Sequence, residues 1–178
     1  MIRGDRVVLR AITRDDLPVF VRWFNDPEVT QFLGGHMWPL SPESEERWFQ
    51  RQLDAQALIL GIETAATEEE PGVLIGNISL MDSSDRNHHT ELGIVLGEKA
   101  FWSKSYGRDA IKTLLRHAFD ELNYHRVFLR VYDFNPRAVR CYEACGFRVE
   151  GRLRQHMFRH GQWHDEILMG VLRDEFHR

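Results

Sequence analysis

The sequence predicts an α/β domain whose sheet is mixed in direction and covered by helices on both faces. Three observations lead there. Residues 88–96 alternate in polarity, residues 107–122 carry an apolar stripe at 3-and-4 spacing, and residues 126–132 read as a strand again. Strand, long helix and strand make a βαβ unit, which requires parallel strands and a right-handed crossover. Near the end, His160-Gly161 between Phe158 and Trp163 is a two-residue hairpin turn, so the last two strands run antiparallel.

The remaining elements follow in order. Residues 6–10 open the chain as a strand. Thr13 then reads as a helix N-cap, with Asp15 and Asp16 in the first turn. Leu17, Phe20, Val21 and Phe24 recur at helical spacing, and Asp26-Pro27 ends that helix. Ser41-Pro42 starts a second helix carrying Trp48, Phe49 and Leu53, after a loop with Gly34, Gly35, His36 and Trp38. Residues 57–64 and 73–80 are strands. The acidic run at 67–70 closed by Pro71-Gly72 is a solvated turn between them. Asn135 caps and Pro136 begins a short helix with Ala138, Val139, Tyr142 and Cys145 on its inner face, and Gly146 stops it. Residues 147–153 and 167–172 complete the sheet.

Composition sets the class. A chain of 178 residues, 43% hydrophobic, is long enough to bury one full core and is expected to form a single domain over 1–178. The 23 basic and 27 acidic residues leave a net charge of −4, which argues against a dedicated nucleic-acid binder. No apolar run approaches the ~18 residues of a membrane span, and the first residues lack a signal peptide's apolar stretch. With only two cysteines, four apart, the expectation is a cytoplasmic chain with reduced thiols. Lacking Cys-x-x-Cys spacing, Cys141 and Cys145 read as buried small hydrophobes. His156, His160 and His164 are spaced by four, but the hairpin at Gly161 keeps them from aligning, so no metal site is expected.

One loop carries the chemistry. Residues 98–108 join a strand to a helix N-terminus, where free N–H groups and the helix dipole favour an anion. Phe101-Trp102-Ser103-Lys104-Ser105-Tyr106-Gly107-Arg108 adds two cations, two hydroxyls and a glycine, a composition suited to a pyrophosphate. A polar loop that merely caps the helix is the alternative. The loop has neither the GxxxxGK[ST] spacing of a nucleotide-binding loop nor GxGxxG.

Three stretches, in this order and spacing, resemble the GNAT superfamily of acetyl-CoA-dependent N-acetyltransferases, and most closely its RimJ/RimL branch. Glu91-Leu92-Gly93-Ile94-Val95-Leu96 is similar to the family's fourth strand. Trp102-Ser103-Lys104-Ser105-Tyr106-Gly107 is similar to its coenzyme loop. Asn135 to Phe147 resembles the branch's Asn-x-x-(Ser/Ala)…Tyr-Glu-x-x-Gly-Phe signature, and residues 160–169 its closing hairpin. The resemblance implies a mostly antiparallel sheet around the central parallel unit, whose fourth and fifth strands splay to admit the pantetheine arm of acetyl-CoA.

It further implies coenzyme contacts from Ile94, Val95, Leu96, Trp102, Ser103, Lys104, Ser105, Tyr106, Gly107, Arg108 and Asn135, with no metal. An N–H near Val95 would polarise the thioester carbonyl. Glu91 would take the proton of the attacking amine, with His89 as the alternate base. Tyr142 would protonate the leaving thiolate. Glu91 as a salt-bridged strand residue and Tyr142 as a core ring are the structural alternatives. Ser105 stands where the family's pattern has glycine, so a left-handed backbone there would carry a cost. The expected acceptor is a protein N-terminus. A small molecule (polyamine, aminoglycoside or amino acid) and a non-catalytic acyl-CoA sensor are the rivals, and a homodimer is expected.

Overall fold

The computed structural model of the protein describes residues 1–35, 38–55, 57–67 and 71–177. In chain order the elements are β1 (Ile2–Arg3), β2 (Val7–Ala11), α1 (Leu17–Phe24), α2 (Pro27–Thr30), α3 (Pro42–Asp54), β3 (Leu58–Thr64), β4 (Leu74–Ser84), β5 (His89–Leu96), α4 (Tyr106–Asp120), β6 (Arg126–Tyr132), α5 (Pro136–Glu143), β7 (Arg148–Arg159), β8 (Gln162–Leu172) and α6 (Arg173–Phe176). The strands form one sheet in the spatial order β1-β2-β3-β4-β5-β6-β8-β7. Among the described residues only β5 and β6 are parallel; every other neighbouring pair is antiparallel.

Local chemistry explains the boundaries. Asp26 does end α1, but its carboxylate also accepts from the Glu28 N–H at 2.9 Å and opens the short α2 behind Pro27, a second turn the sequence reading missed. Ser41 and Asn135 cap α3 and α5, each accepting a backbone N–H at 3.2 Å. Gly146 follows α5 with φ 99°, the left-handed stop that glycine adopts without penalty. His160 and Gly161 both have positive φ, the pairing a tight hairpin needs, and Phe158 faces Trp163 across it. Helix α4 ends at Asp120, so Leu122 lies beyond it, 40% exposed, and Leu53 of α3 is likewise exposed. The acidic residues 68–70 and His36 lie outside the described residues.

Strand alternation sorts the side chains into two cores. Leu92, Ile94 and Leu96 of β5 join Ile78, Val127 and Leu129 against Leu114, Leu115 and Phe119 of α4. On the opposite face Phe20 and Trp23 of α1 pack with Phe49 of α3 and Val95 of β5. Each fully buried large side chain of this kind contributes roughly 1.5–3 kcal/mol. Cys145 belongs to the first core, as expected, whereas Cys141 is half-buried.

The two strands of the parallel pair stay together only briefly. Their register runs from His89↔Arg126 to Glu91↔Phe128 and stops there. β5 remains paired with β4 as far as Leu96↔Gly76, and β6 remains paired with β8 as far as Tyr132↔Glu166. Past Glu91 the sheet therefore splits, and the β6-facing edge of β5 has no strand beside it.

A partly buried ion cluster pins the turn that leads into α1 to the sheet. Arg10 of β2 donates to both oxygens of Asp16, at 2.8 and 2.9 Å, and to Glu63 of β3 at 2.6 Å. Burial alone would raise the Asp16 carboxyl, but the Arg10 guanidinium and the Thr13 N–H outweigh it and hold the group below its ordinary value. Removing one partner of such a pair leaves the other charge stranded. Arg10→Ala should cost about 2 kcal/mol, lowering Tm by roughly 4–8 °C at neutral pH. Because the folded carboxyl titrates below the unfolded one, that stabilisation is lost as pH falls through the folded value. The Tm gap between wild type and variant should therefore close under acid conditions below the ordinary aspartate value of 3.8.

Candidate active site

The split between β5 and β6 opens into a cavity of about 590 Å³. Its wall draws on both faces of the sheet. Ile111, Ala138 and Tyr142 come from the α4–α5 side, and Phe32, Leu33 and Glu91 from the other, so the cavity passes through the sheet. On the α4 side the first turn of that helix faces the opening with Tyr106, Gly107 and Arg108, and α5 adds Arg137 and Arg140.

Contacts within the loop shape this anion-friendly end. The Trp102 indole N–H donates to the Leu96 carbonyl at 2.8 Å, tying the loop to the last residue of β5, and the Arg137 guanidinium lies 4.5 Å above the Trp102 ring. Phe101 meets Tyr106 edge-on, and Arg6 covers the other aromatic partner at 4.4 Å from the Tyr106 centroid. The Asp109 carboxylate accepts from the N–H groups of Asp5, Arg6 and Val7 at 2.8 to 3.2 Å, clamping the chain start onto α4. Ser103 and Ser105 both sit in left-handed backbone, at φ 59° and 67°.

The sequence-derived residues fall into place as follows. Ile94, Val95, Leu96, Trp102, Ser103, Ser105, Tyr106, Gly107, Arg108, Asn135, Glu91 and Tyr142 all line the one cavity. Lys104 does not. It lies between the two left-handed serines with its carbonyl held by Arg6 at 2.5 Å and its side chain exposed. The Asn135 side chain accepts from the Ala138 N–H at 3.2 Å, so its cap is formed while it also borders the cavity. His89 stands outside the wall, its ring 5.8 Å from Phe128. Cys141, packed against the edge of the core, also borders the cavity, and the Cys145 thiol approaches the Arg108 carbonyl at 3.8 Å. The hydrogen bond from Cys145, with Arg108 and Arg137 nearby, holds the Cys141 thiol down to about 7.

Glu91 is inward and shielded, with 13% of its side chain exposed, and Arg130 Nε lies 3.4 Å away. Burial raises its pKa; Arg130 opposes the shift, while Asp82 and Glu166 add to it. Tyr142 lies opposite with no hydrogen-bond partner for its hydroxyl among the described residues. Burial chiefly, then the neighbouring cysteines, push its pKa well above 10.0, so it remains a neutral O–H.

Sequence reasoning missed Glu166, Arg130 and Tyr132. Phe128, Arg130 and Tyr132 alternate with buried Val127, Leu129 and Val131, which puts them on the face opposite α4. Glu166 is the register partner of Tyr132, is 5% exposed and leaves Oε2 without a hydrogen-bond partner among the described residues, with His156 Nε2 3.7 Å away. An acidic residue at the head of the apolar run 166–172 was the available signal. The loop after α2 comes close enough to shape this end because residue 34 is glycine: a Cβ there would lie 2.2 Å from the Tyr132 hydroxyl. Buried Arg159 holds that loop by donating to the carbonyls of Thr30 at 2.8 Å, Gln31, and Leu33 at 2.9 Å.

A split parallel pair with a cationic helix N-terminus at its mouth is the arrangement the sequence motifs imply, and comparison with known families agrees. Residues 6–148 match the acetyltransferase (GNAT) domain model. The chain belongs to the GNAT acetyltransferase family. A spermidine N(1)-acetyltransferase of Vibrio cholerae is 27% identical over 173 residues, covering 97% of this chain and 96% of that protein. An uncharacterized prophage-derived N-acetyltransferase of Bacillus subtilis is 29% identical, covering 97% and 93%. The crystal structure of spermidine N-acetyltransferase from Vibrio cholerae in complex with CoA and spermine superposes with a TM-score of 0.86 at 26% identity, covering 97% and 98% of the two chains. The enzyme is thus an N-acetyltransferase. Among its described residues no helix is long and apolar enough to cross a membrane, and no cluster of three or more potential metal ligands occurs.

Ser105 is the local anomaly of this acetyltransferase. An L-residue in left-handed backbone costs roughly 1–2 kcal/mol, partly offset because glycine would gain about 0.4–1 kcal/mol of freedom in the unfolded chain. Ser105→Gly should raise Tm by about 2–4 °C and leave CoA affinity equal or tighter. Thermal unfolding and CoA titration would show it; a loss of CoA affinity would instead assign the Ser105 hydroxyl a direct contact.

Proposed function

We propose that the enzyme transfers the acetyl group of acetyl-CoA directly to the primary amine of a small cationic acceptor. The observation that carries this reading is the division of one through-sheet cavity: cations and helix N–H groups at the α4 end, and the carboxylates Glu91 and Glu166 at the other. The α4 end suits a pyrophosphate, and the unpaired edge of β5 offers backbone groups to the amides of a pantetheine arm as a strand would. The carboxylate end suits an ammonium group. Similarity to spermidine acetyltransferases supports a small polycation over the protein N-terminus that the sequence motifs favour.

The chemistry follows from these positions. The acceptor arrives as an ammonium ion, and Glu91, made more basic by burial, removes one proton. The neutral nitrogen attacks the thioester carbonyl; the C–N bond forms and the carbonyl oxygen takes up negative charge, facing the β5 backbone near Val95. Collapse breaks the C–S bond, and the sulfur takes a proton from the Tyr142 hydroxyl, which solvent then replaces. Burial keeps the Tyr142 hydroxyl protonated and so available as the donor. The second proton of the amine nitrogen leaves through Glu91 or water. Arg130 lowers the proton affinity of Glu91, and Asp82 and Glu166 raise it.

Thiol release from acetyl-CoA against a panel of small amines and N-terminal peptides tests the reading, with small polycations expected to be the best acceptors. No thiol release with any acceptor of the panel, despite CoA binding, would remove it. Tyr142→Phe should lower turnover at least tenfold while CoA still binds. Glu91 must be ionised to act, so kcat/KM rises with pH through its titration. Arg130→Met deletes the positive charge that holds Glu91 down and should move this limb to higher pH. Glu166→Gln deletes a neighbouring negative charge and should move it to lower pH. Opposite signs for these two variants are the signature of Glu91 as base.

A further inference from the structure

A second cavity, of about 900 Å³, lies between α3 and the outer face of β3 to β5. It adjoins the first: both are walled by Leu33, Met81 and Gly93. Met81 is the cross-strand partner of Glu91, and its Cε lies over Gly93, 2.8 Å from where a Cβ would stand. The two spaces therefore meet beside the carboxylate read above as the base.

Into this second cavity α3 carries Glu45. It is 3% exposed, its Oε1 is buried with no hydrogen-bond partner, and no Lys, Arg or His among the described residues pairs with it. Burial alone pushes its carboxyl up to about 7. The fold gains nothing from such a group, since a desolvated carboxylate without a partner is destabilising and an alanine or leucine would serve an amphipathic helix better. Asp16, another buried acid, shows what the fold does when a carboxylate is structural: it has Arg10 and the Thr13 N–H. Glu45 lacks a cation of its own. Around it, Trp48 and Met81 offer apolar walls suited to a methylene chain, and Gln52 and Ser79 offer neutral polar groups.

We propose that Glu45 seats a second ammonium group of the acceptor, so that the enzyme takes terminal diamines and polyamines, one end at Glu91 and the other at Glu45. This rests on the acetyl-transfer reading for the first end only. The ammonium at Glu45 is bound, not acetylated. Its charge-assisted hydrogen bonds would restore to the carboxylate what burial removed.

The test compares wild type with Glu45→Gln, using a series of terminal diamines of increasing length, each against the monoamine of the same chain. Acetyl transfer and calorimetric binding in the presence of CoA are both recorded. Wild type should prefer a diamine of one best length at least tenfold over its monoamine. Glu45→Gln should raise KM for that diamine at least tenfold with kcat little changed, and leave the monoamine's kcat/KM unaltered. Without ligand the variant should melt at the same temperature or higher, since it loses a stranded charge. Glu45→Asp, which keeps the charge, should retain part of the preference and stands in if the glutamine variant fails to fold. Equal losses for diamine and monoamine, or no loss for either, would overturn the assignment while leaving acetyl transfer intact. Glu45-dependent diamine binding without turnover would do the reverse, upholding the cation seat and removing the acetyl-transfer reading.

Discussion

The parting of β5 from β6 after Glu91 is the constraint on which the remainder of the molecule depends. A strand edge in the middle of a sheet is normally closed, because unpaired backbone groups are costly when shielded from water. Here each strand is already committed on its other side, β5 to β4 through Leu96 and β6 to β8 through Tyr132. The gap leaves an internal edge to which an extended chain with amide groups could add as a strand does.

Charge is distributed along that gap in a way the net figure of −4 conceals. Arg108, Arg137 and Arg140 gather where α4 presents its N-terminus, and Glu91, Glu166 and Tyr132 gather at the other end. Low-dielectric walls strengthen both fields. The same burial that makes Glu91 more basic keeps Tyr142 protonated. The two groups to which the proposed mechanism gives opposite proton duties are thus shifted by one physical cause and distinguished by their neighbours: Arg130 beside the carboxylate, two thiols beside the phenol.

The loops at the carboxylate end are held rather than packed. Three carbonyls, of the last residue of α2 and two in the segment after it, converge on Arg159, which comes from the far end of β7, and Gly34 lets that segment touch the Tyr132 hydroxyl. The wall that would face an acceptor is therefore built from pieces more than a hundred residues apart in the chain. Its shape depends on a hydrogen-bonded clamp more than on apolar burial, unlike the α4 end, whose ring contacts and Asp109 clamp are set within one loop and the chain start.

What the amino-acid order determined by itself was everything governed by local periodicity and turn chemistry. The βαβ unit, the caps at Ser41 and Asn135, the stop at Gly146, the hairpin at His160-Gly161 and the anion-friendly loop before α4 could all be read from neighbours a few residues apart. The left-handed turn at Ser105 was foreseeable too, from a glycine pattern it interrupts. Tertiary structure alone decided which side chains meet. It removed Lys104 and His89 from the wall, brought in Glu166 and Arg130 across three strands, and left Glu45 of an ordinary-looking amphipathic helix without a cation. The reason is physical: whether a charge is paired or stranded depends on what the opposite element carries, and helical or strand period does not encode that.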